Sequence, residues 1–191
     1  ICVLGFASAP THGIFLGPLG WTQIDRRRVW ARPLPVGRRG GATRLDRFEE
    51  RHAAVAAARS ARWGNHVLRD ARHLNWRYVE SPRTYRLLES GLGGFAVVGF
   101  TRRKGLRIAL LMDLVGEDED VGVLLRGALA AARGSAVLLA VPSPVLTRSR
   151  LLRRGFVPTT YRLDLMGKGL AEPLDSRSDA WTVSLGDTDF F

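Results

Sequence analysis

Between residues 95 and 141 the sequence writes two Val- and Leu-rich runs, an amphipathic stretch and a third run that is apolar throughout. The first two, 95–101 and 106–115, flank the basic turn Arg102-Arg103-Lys104-Gly105 and predict an antiparallel hairpin. Residues 121–133 place Val121, Leu124, Leu125, Ala128, Leu129 and Ala132 at helical spacing, and Gly134 follows where a helix C-cap is expected. The run 136–141 lacks polar alternation, the pattern of a central strand covered on both faces. A hairpin feeding a β-α-β unit predicts an α+β fold.

The flanking segments extend this order. Residues 46–62 carry Phe48 and a string of alanines among Glu and Arg and read as a helix; so do 69–80, with Leu74, Trp76 and Tyr78, stopped by Pro82. Residues 146–154 predict a short basic helix closing at Gly155-Phe156, and 157–166 and 180–185 two closing strands. Upstream, residues 1–6 predict a short buried strand, 8–13 a loop and 22–34 an edge strand. Pro33, Pro35 and the glycines from Gly37 to Gly41 mark the boundary between two regions.

Composition excludes several classes. Hydrophobic residues make up 46% and charged residues 25%, as in an ordinary globular chain. No apolar run approaches the roughly 20 residues of a membrane helix, and residues 1–6 lack the basic lead and cleavage pattern of a signal peptide. No membrane partner is expected, and the setting is expected to be cytoplasmic. No Met precedes Ile1, and a piece of a longer, bacterial protein is expected. The single Cys2 excludes an internal disulfide and a cysteine-rich metal site; in the string Ile1-Cys2-Val3-Leu4 it is expected as a buried, inert thiol. A net charge of +11 raises the question of nucleic acid. However, Lys occurs only at 104 and 168, and the excess belongs to the part before residue 108. There Arg26, Arg27, Arg28, Arg38, Arg39, Arg44, Arg59, Arg62, Arg69 and Arg72 are scattered, and nucleic acid is not expected as a partner.

Specific strings carry a resemblance. His73-Leu74-Asn75-Trp76-Arg77-Tyr78 with Pro82 and Tyr85, the strand–helix–strand order of 108–141, Gly155-Phe156, and Trp181-Thr182-Val183-Ser184-Leu185-Gly186-Asp187-Thr188-Asp189 are similar to segments of a group of bacterial GNAT (GCN5-related) N-acetyltransferases. Leu4-Gly5-Phe6, Leu19-Gly20-Trp21 and Arg32-Pro33-Leu34 resemble the end of a preceding GNAT half. The resemblance implies a GNAT-type fold, a mixed central sheet flanked by helices. It divides the chain into 1–36, the remnant of a first half; 37–69, a basic helical linker; and 70–191, a second GNAT-like domain. It further implies an acetyl-CoA-dependent N-acyltransferase acting on a small-molecule or peptide amine, with the missing first half as partner.

The family holds the cofactor pyrophosphate on backbone N–H groups at a helix N-terminus, where glycines allow close approach and the dipole favours an anion. The matching stretch is Gly116-Glu117-Asp118-Glu119-Asp120-Val121-Gly122. Gly116 and Gly122 keep the cofactor-loop positions, but four carboxylates stand where a phosphate would bind. The stretch is read as an acidic loop that starts a helix in place of a cofactor loop, solvated rather than metal-binding. The family's general-acid tyrosine falls at Leu151, and at Leu16 in the preceding half; neither side chain transfers a proton. Tyr161 is expected as a strand tyrosine. The histidines His12, His52, His66 and His73 lack ligand spacing, and no metal is expected. No catalytic residue is assigned. The candidate substrate-binding group is Trp76, Arg77 and Tyr78: aromatics to stack on a substrate and a guanidinium to hold a carboxylate. The competing reading packs them into the core with Arg77 at the rim. Three functions stay open at this point: a degenerate accessory half of an N-acyltransferase, for which acetyl-CoA binding by this chain alone is doubtful; a non-catalytic partner-binding module; and a basic nucleic-acid binder.

Overall fold

The computed structural model describes residues 2–7, 9–33 and 41–188. Ile1, the boundary residues Pro35, Gly37 and Gly40, and Asp189 lie outside the described residues. The chain order begins with strand β1 (Cys2–Ala7), helix α1 (Ala9–Leu16), β2 (Thr22–Pro33), β3 (Thr43–Leu45), α2 (Glu50–Ser60) and β4 (Asn65–His66). It continues with α3 (Ala71–Tyr78), β5 (Tyr85–Glu89), β6 (Phe95–Arg103), β7 (Leu106–Val115) and α4 (Asp118–Ala131). It ends with β8 (Val137–Ala140), α5 (Arg148–Arg153), β9 (Val157–Gly169) and β10 (Trp181–Thr182).

Eight strands form one mixed sheet in the order β1-β9-β2-β8-β7-β6-β5-β3, in which only β7 and β8 run parallel. Strand alternation sorts the side chains onto two layers. Ala96, Val98, Ala109 and Leu138 face Leu124, Leu125 and Ala128 of α4 and Leu151 of α5. Phe95, Val97, Leu110 and Met112 face Phe48, Ala56 of α2 and Leu74 and Tyr78 of α3. This is the expected α+β arrangement, a mixed sheet flanked by helices. No helix among the described residues is long and apolar enough to cross a membrane.

Several expectations are corrected. The expected loop over 8–13 is largely α1. The expected edge strand over 22–34 lies inside the sheet, hydrogen-bonded to β8 on one side and β9 on the other, with Ile24, Val29 and Trp30 buried. Its arginines misled the reading: Arg26 and Arg27 leave the core by pairing with Asp164 and Asp25. The expected buried strand over 1–6 is instead the sheet's outer strand, and Cys2 is exposed rather than buried. The acidic loop is shorter than expected, because Asp118, Glu119 and Asp120 already form the first turn of α4. Residues 180–185 make only the two-residue β10, paired with β4, before a 3-10 turn over Leu185–Asp187. Three strands go unforeseen: β3, β4 and β5.

Candidate functional site

The parallel pair β7–β8 holds only over Ile108–Leu110 against Val137–Leu139. Beyond Leu110, β7 continues without β8 beside it. Part of the reason is a bulge: Val97 opposes Asp113 and Val98 opposes Leu111, so Met112 is an extra residue that bends the strand. The two strands therefore open a cleft between Leu111–Val115 of β7 and the segment with Val141, Ser143 and Leu146.

The 181–188 segment fills this cleft. Thr182, Val183 and Ser184 enter it beside Trp63, and the space left is about 30 Å³, room for a water or two. Leu185 behind them is fully buried. Three arginines fasten the segment. Arg27 donates to the carbonyls of Trp181 (2.5 Å) and Val183 (3.4 Å). Arg77 donates to those of Gly186 (3.1 Å) and Thr188 (2.7 Å). Arg69 reaches the Ser184 hydroxyl at 3.0 Å and both Asp187 carboxylate oxygens at 2.9 and 3.0 Å.

Arg69 also centres a buried polar network. Its Nε and Nη2 donate to Asp113 Oδ1 at 3.0 and 2.9 Å, and its Nη1 to the Val67 carbonyl at 2.9 Å. Tyr78 donates to the other Asp113 oxygen at 2.5 Å. Burial works against the Arg69 charge, but Asp113 and Asp187 outweigh it and hold the guanidinium protonated more firmly than usual. Burial, then the Asp113 carboxylate, pushes the Tyr78 phenol well above its ordinary range. Burial raises Asp187 as well, against the pull of Arg69. One cation faces two carboxylates, and the hydroxyls of Tyr78 and Ser184 share the excess. Both carboxylates are hydrogen-bonded to the Arg69 guanidinium, and Asp113 also accepts from Tyr78. The sequence carried one signal for this network: Asp113 is a lone charge inside the apolar run 108–115, and a buried carboxylate requires a partner. Arg69 and Asp187 carried no comparable signal.

At the N-terminus of α4 the Glu117 N–H is taken up by the chain's own carboxylate, donating to Asp120 at 2.9 Å. Arg59 donates to Glu117 at 2.7 Å, and Arg150 pairs with Asp118 at 3.1 Å. Those arginines hold the Asp118 carboxyl below its usual range, Arg150 most of all. At Gly116 a side chain would meet Asp120 Cβ at 2.9 Å, so the glycine makes room for the chain's own carboxylate. At Gly122 a side chain would crowd the guanidinium of Arg154 at 3.3 Å.

The three candidate substrate residues part company on α3. Trp76 is 59% exposed on the outer side, Arg77 is half-buried and ties down the 181–188 segment, and Tyr78 is buried in the network. Leu151 is fully buried in the core and Leu16 lies exposed on α1. Tyr161 is exposed on β9. Ser143 accepts from the Leu146 N–H at 3.0 Å. His52 is buried, accepting from the Glu49 N–H and meeting Glu89 at 3.1 Å; His12 meets Gln23 and His66 the Gly64 carbonyl. Among the described residues, no three His, Cys, Asp or Glu side chains converge as metal ligands would.

A sheet with one parallel pair splaying over a bulge is the architecture of the N-acetyltransferase class. Solved structures bear this out. A putative acetyltransferase from Pyrococcus horikoshii superposes with a TM-score of 0.58 at 14% identity, over 98% of this chain and 58% of its own. GCN5-related N-acetyltransferases from Anabaena variabilis and Kribbella flavida superpose with TM-scores of 0.58 and 0.53 at 10% and 14% identity, each over 87% of this chain. The chain spans 45% and 42% of those two, so it matches about half of each relative's length. No family model and no curated protein matches the sequence. The fold is that of the GCN5-related N-acetyltransferases.

Proposed function

We propose that this chain is the accessory half of a GNAT-type N-acyltransferase, and that the acyl-CoA of the intact protein is held by another GNAT-like half. The observation that carries this reading is the closed cleft. Thr182, Val183 and Ser184 of the 181–188 segment lie where β7 and β8 diverge and leave about 30 Å³ there, little room for an acyl thioester. The start of α4 supports it, since Asp120 takes the Glu117 N–H, and Glu117 and Asp118 engage the Arg59 and Arg150 cations that a pyrophosphate would otherwise draw on. The buried Leu151 supports it further: a leaving thiolate finds no proton donor there. That the chain matches about half of its structural relatives fits the division into halves. In this reading the chain supports or shapes the acceptor site for a small-molecule or peptide amine, which attacks the thioester in the other half.

Calorimetry with acetyl-CoA tests the proposal. This chain alone is expected to show no binding, and a version extended upstream is expected to bind. Micromolar binding by this chain alone would overturn the reading. If neither form binds, the acyltransferase role falls and a partner-binding module replaces it.

A further inference from the structure

The sequence holds no Asp or Glu between Glu89 and Asp113, and the β6–β7 hairpin lies inside that stretch. Its tip carries Arg102, Arg103, Lys104 and Arg107 within six residues. Arg102 and Arg107 are directly opposed across the two strands, where like charges repel. Among the described residues, none of the four forms an ion pair. Arg107 instead lies over the Phe100 ring, its guanidinium carbon 4.2 Å from the centroid, with that of Arg86 at 5.3 Å from the same ring.

The ribbon stands clear of the sheet. Strand β5 ends its pairing opposite Gly99, and β8 begins opposite Ile108, with Ala136 just before it donating to the Arg107 carbonyl, so residues 102–106 have no strand beside them. The turn is the tight two-residue kind, with Lys104 at φ 50° and Gly105 at φ 79°. A lysine in that left-handed conformation is uncommon, and here it is exposed at the tip of the turn. A protruding two-stranded ribbon has the cross-section that the major groove of a duplex admits. Its guanidinium groups match phosphate oxygens in geometry. The ribbon offers a membrane little, because Leu106 is its one exposed apolar side chain.

We propose that the β6–β7 hairpin tip, through Arg102, Arg103, Lys104 and Arg107, binds the sugar-phosphate backbone of double-stranded nucleic acid without reading its sequence. The arginines that argued against such a partner in the sequence, those between 26 and 72, are a different set. Folding isolates this smaller group at one end of the sheet, away from the acidic start of α4. The proposal is independent of the acyltransferase reading.

Fluorescence anisotropy of a short labelled DNA duplex, titrated with this chain over a series of salt concentrations, tests it. The triple variant Arg102→Gln/Arg103→Gln/Lys104→Gln is expected to weaken binding about tenfold or more at ~0.1 M salt and to flatten the log K against log salt slope by about 2 to 3. The control triple Arg44→Gln/Arg47→Gln/Arg51→Gln removes the same charge from β3 and α2, and is expected to have a much smaller effect. Thermal melts by circular dichroism confirm that both triples fold, since the tip side chains touch little of the core. Equal weakening by the two triples would reduce the effect to net charge and overturn the proposal. So would an absence of duplex binding at that salt. Vesicles rich in phosphatidylserine, tested in parallel, are expected to bind weakly; tip-dependent binding to vesicles but not to duplex would make the tip a membrane contact instead.

Discussion

Gly186 shows how tightly single residues set the cleft. A Cβ there would collide with the Tyr78 hydroxyl and stand 2.7 Å from Asp113 Oδ2, both anchored in the buried network. Gly186→Ala is therefore expected to cost about 1–3 kcal/mol or more in urea unfolding, as overpacked cores do. Arg69→Met leaves two buried carboxylates without their cation, and is expected to cost about 3–5 kcal/mol. An unchanged midpoint for Arg69→Met would show that the network contributes nothing net. Tyr78 gives a pH signature. Its folded-state value is raised, so its contribution is present below about pH 10, the ordinary tyrosine value, and is lost as the pH climbs beyond it. Stability should fall from about pH 10 upward more steeply in the parent than in Tyr78→Phe, read from urea midpoints at successive pH values. The neutral-pH offset of that variant should be about 1–3 kcal/mol, from the unsatisfied Asp113 oxygen. At this scale the site was not read from the sequence: Asp113, a charge among apolar neighbours, was the one available signal and went unused. Arg69 and Asp187 lie 118 positions apart, and only folding brings them together.

At the scale of elements, patterns of one clear period were read correctly. The β6–β7 hairpin, α4 and β8 follow from two Val- and Leu-rich runs around a basic turn, helical spacing and a continuous apolar run. What failed was short or mixed. Strand β5, Tyr85-Arg86-Leu87-Leu88-Glu89, has an apolar pair in the middle and polar ends, and its identity depends on pairing with β6. Helix α1 contains Pro10 and Gly13, both read as loop residues. The start of α4 yields a prediction of its own. Asp120 is buried and accepts the Glu117 N–H, so Asp120→Ala is expected to cost about 0.5–2 kcal/mol in helix capping. Asp118→Asn touches only exposed pairs with Arg59 and Arg150 and is expected to change stability by less than about 1 kcal/mol. Thermal melts of the two variants separate the roles; equal losses would mean that the ion pairs, not the cap, hold this turn.

For the whole molecule, the decisive feature is the place of β2. It contributes Ile24, Val29 and Trp30 to the core and stands between β8 and β9. Residues 1–36 were read as the remnant of one half and 70–191 as the other, yet strands from both share one sheet. Removing residues 1–36 is expected to leave 37–191 unable to fold cooperatively, seen as collapsed dispersion in an amide NMR spectrum. A well-dispersed spectrum would mean that β2 only lies against an already complete domain. Nothing local in the sequence reveals such a placement, because it depends on partners far along the chain.

That placement has a consequence during synthesis. Arg26 meets Asp164 across 138 residues, so β2 leaves the ribosome long before either neighbour exists. At about 5–20 residues per second, the strand waits roughly 10 seconds with both edges bare. An unpaired apolar strand is a template for aggregation, and charged residues within it guard against that. The run Arg26-Arg27-Arg28, which disguised β2 as an edge strand, is the protection a nascent chain needs while its centre is still untranslated.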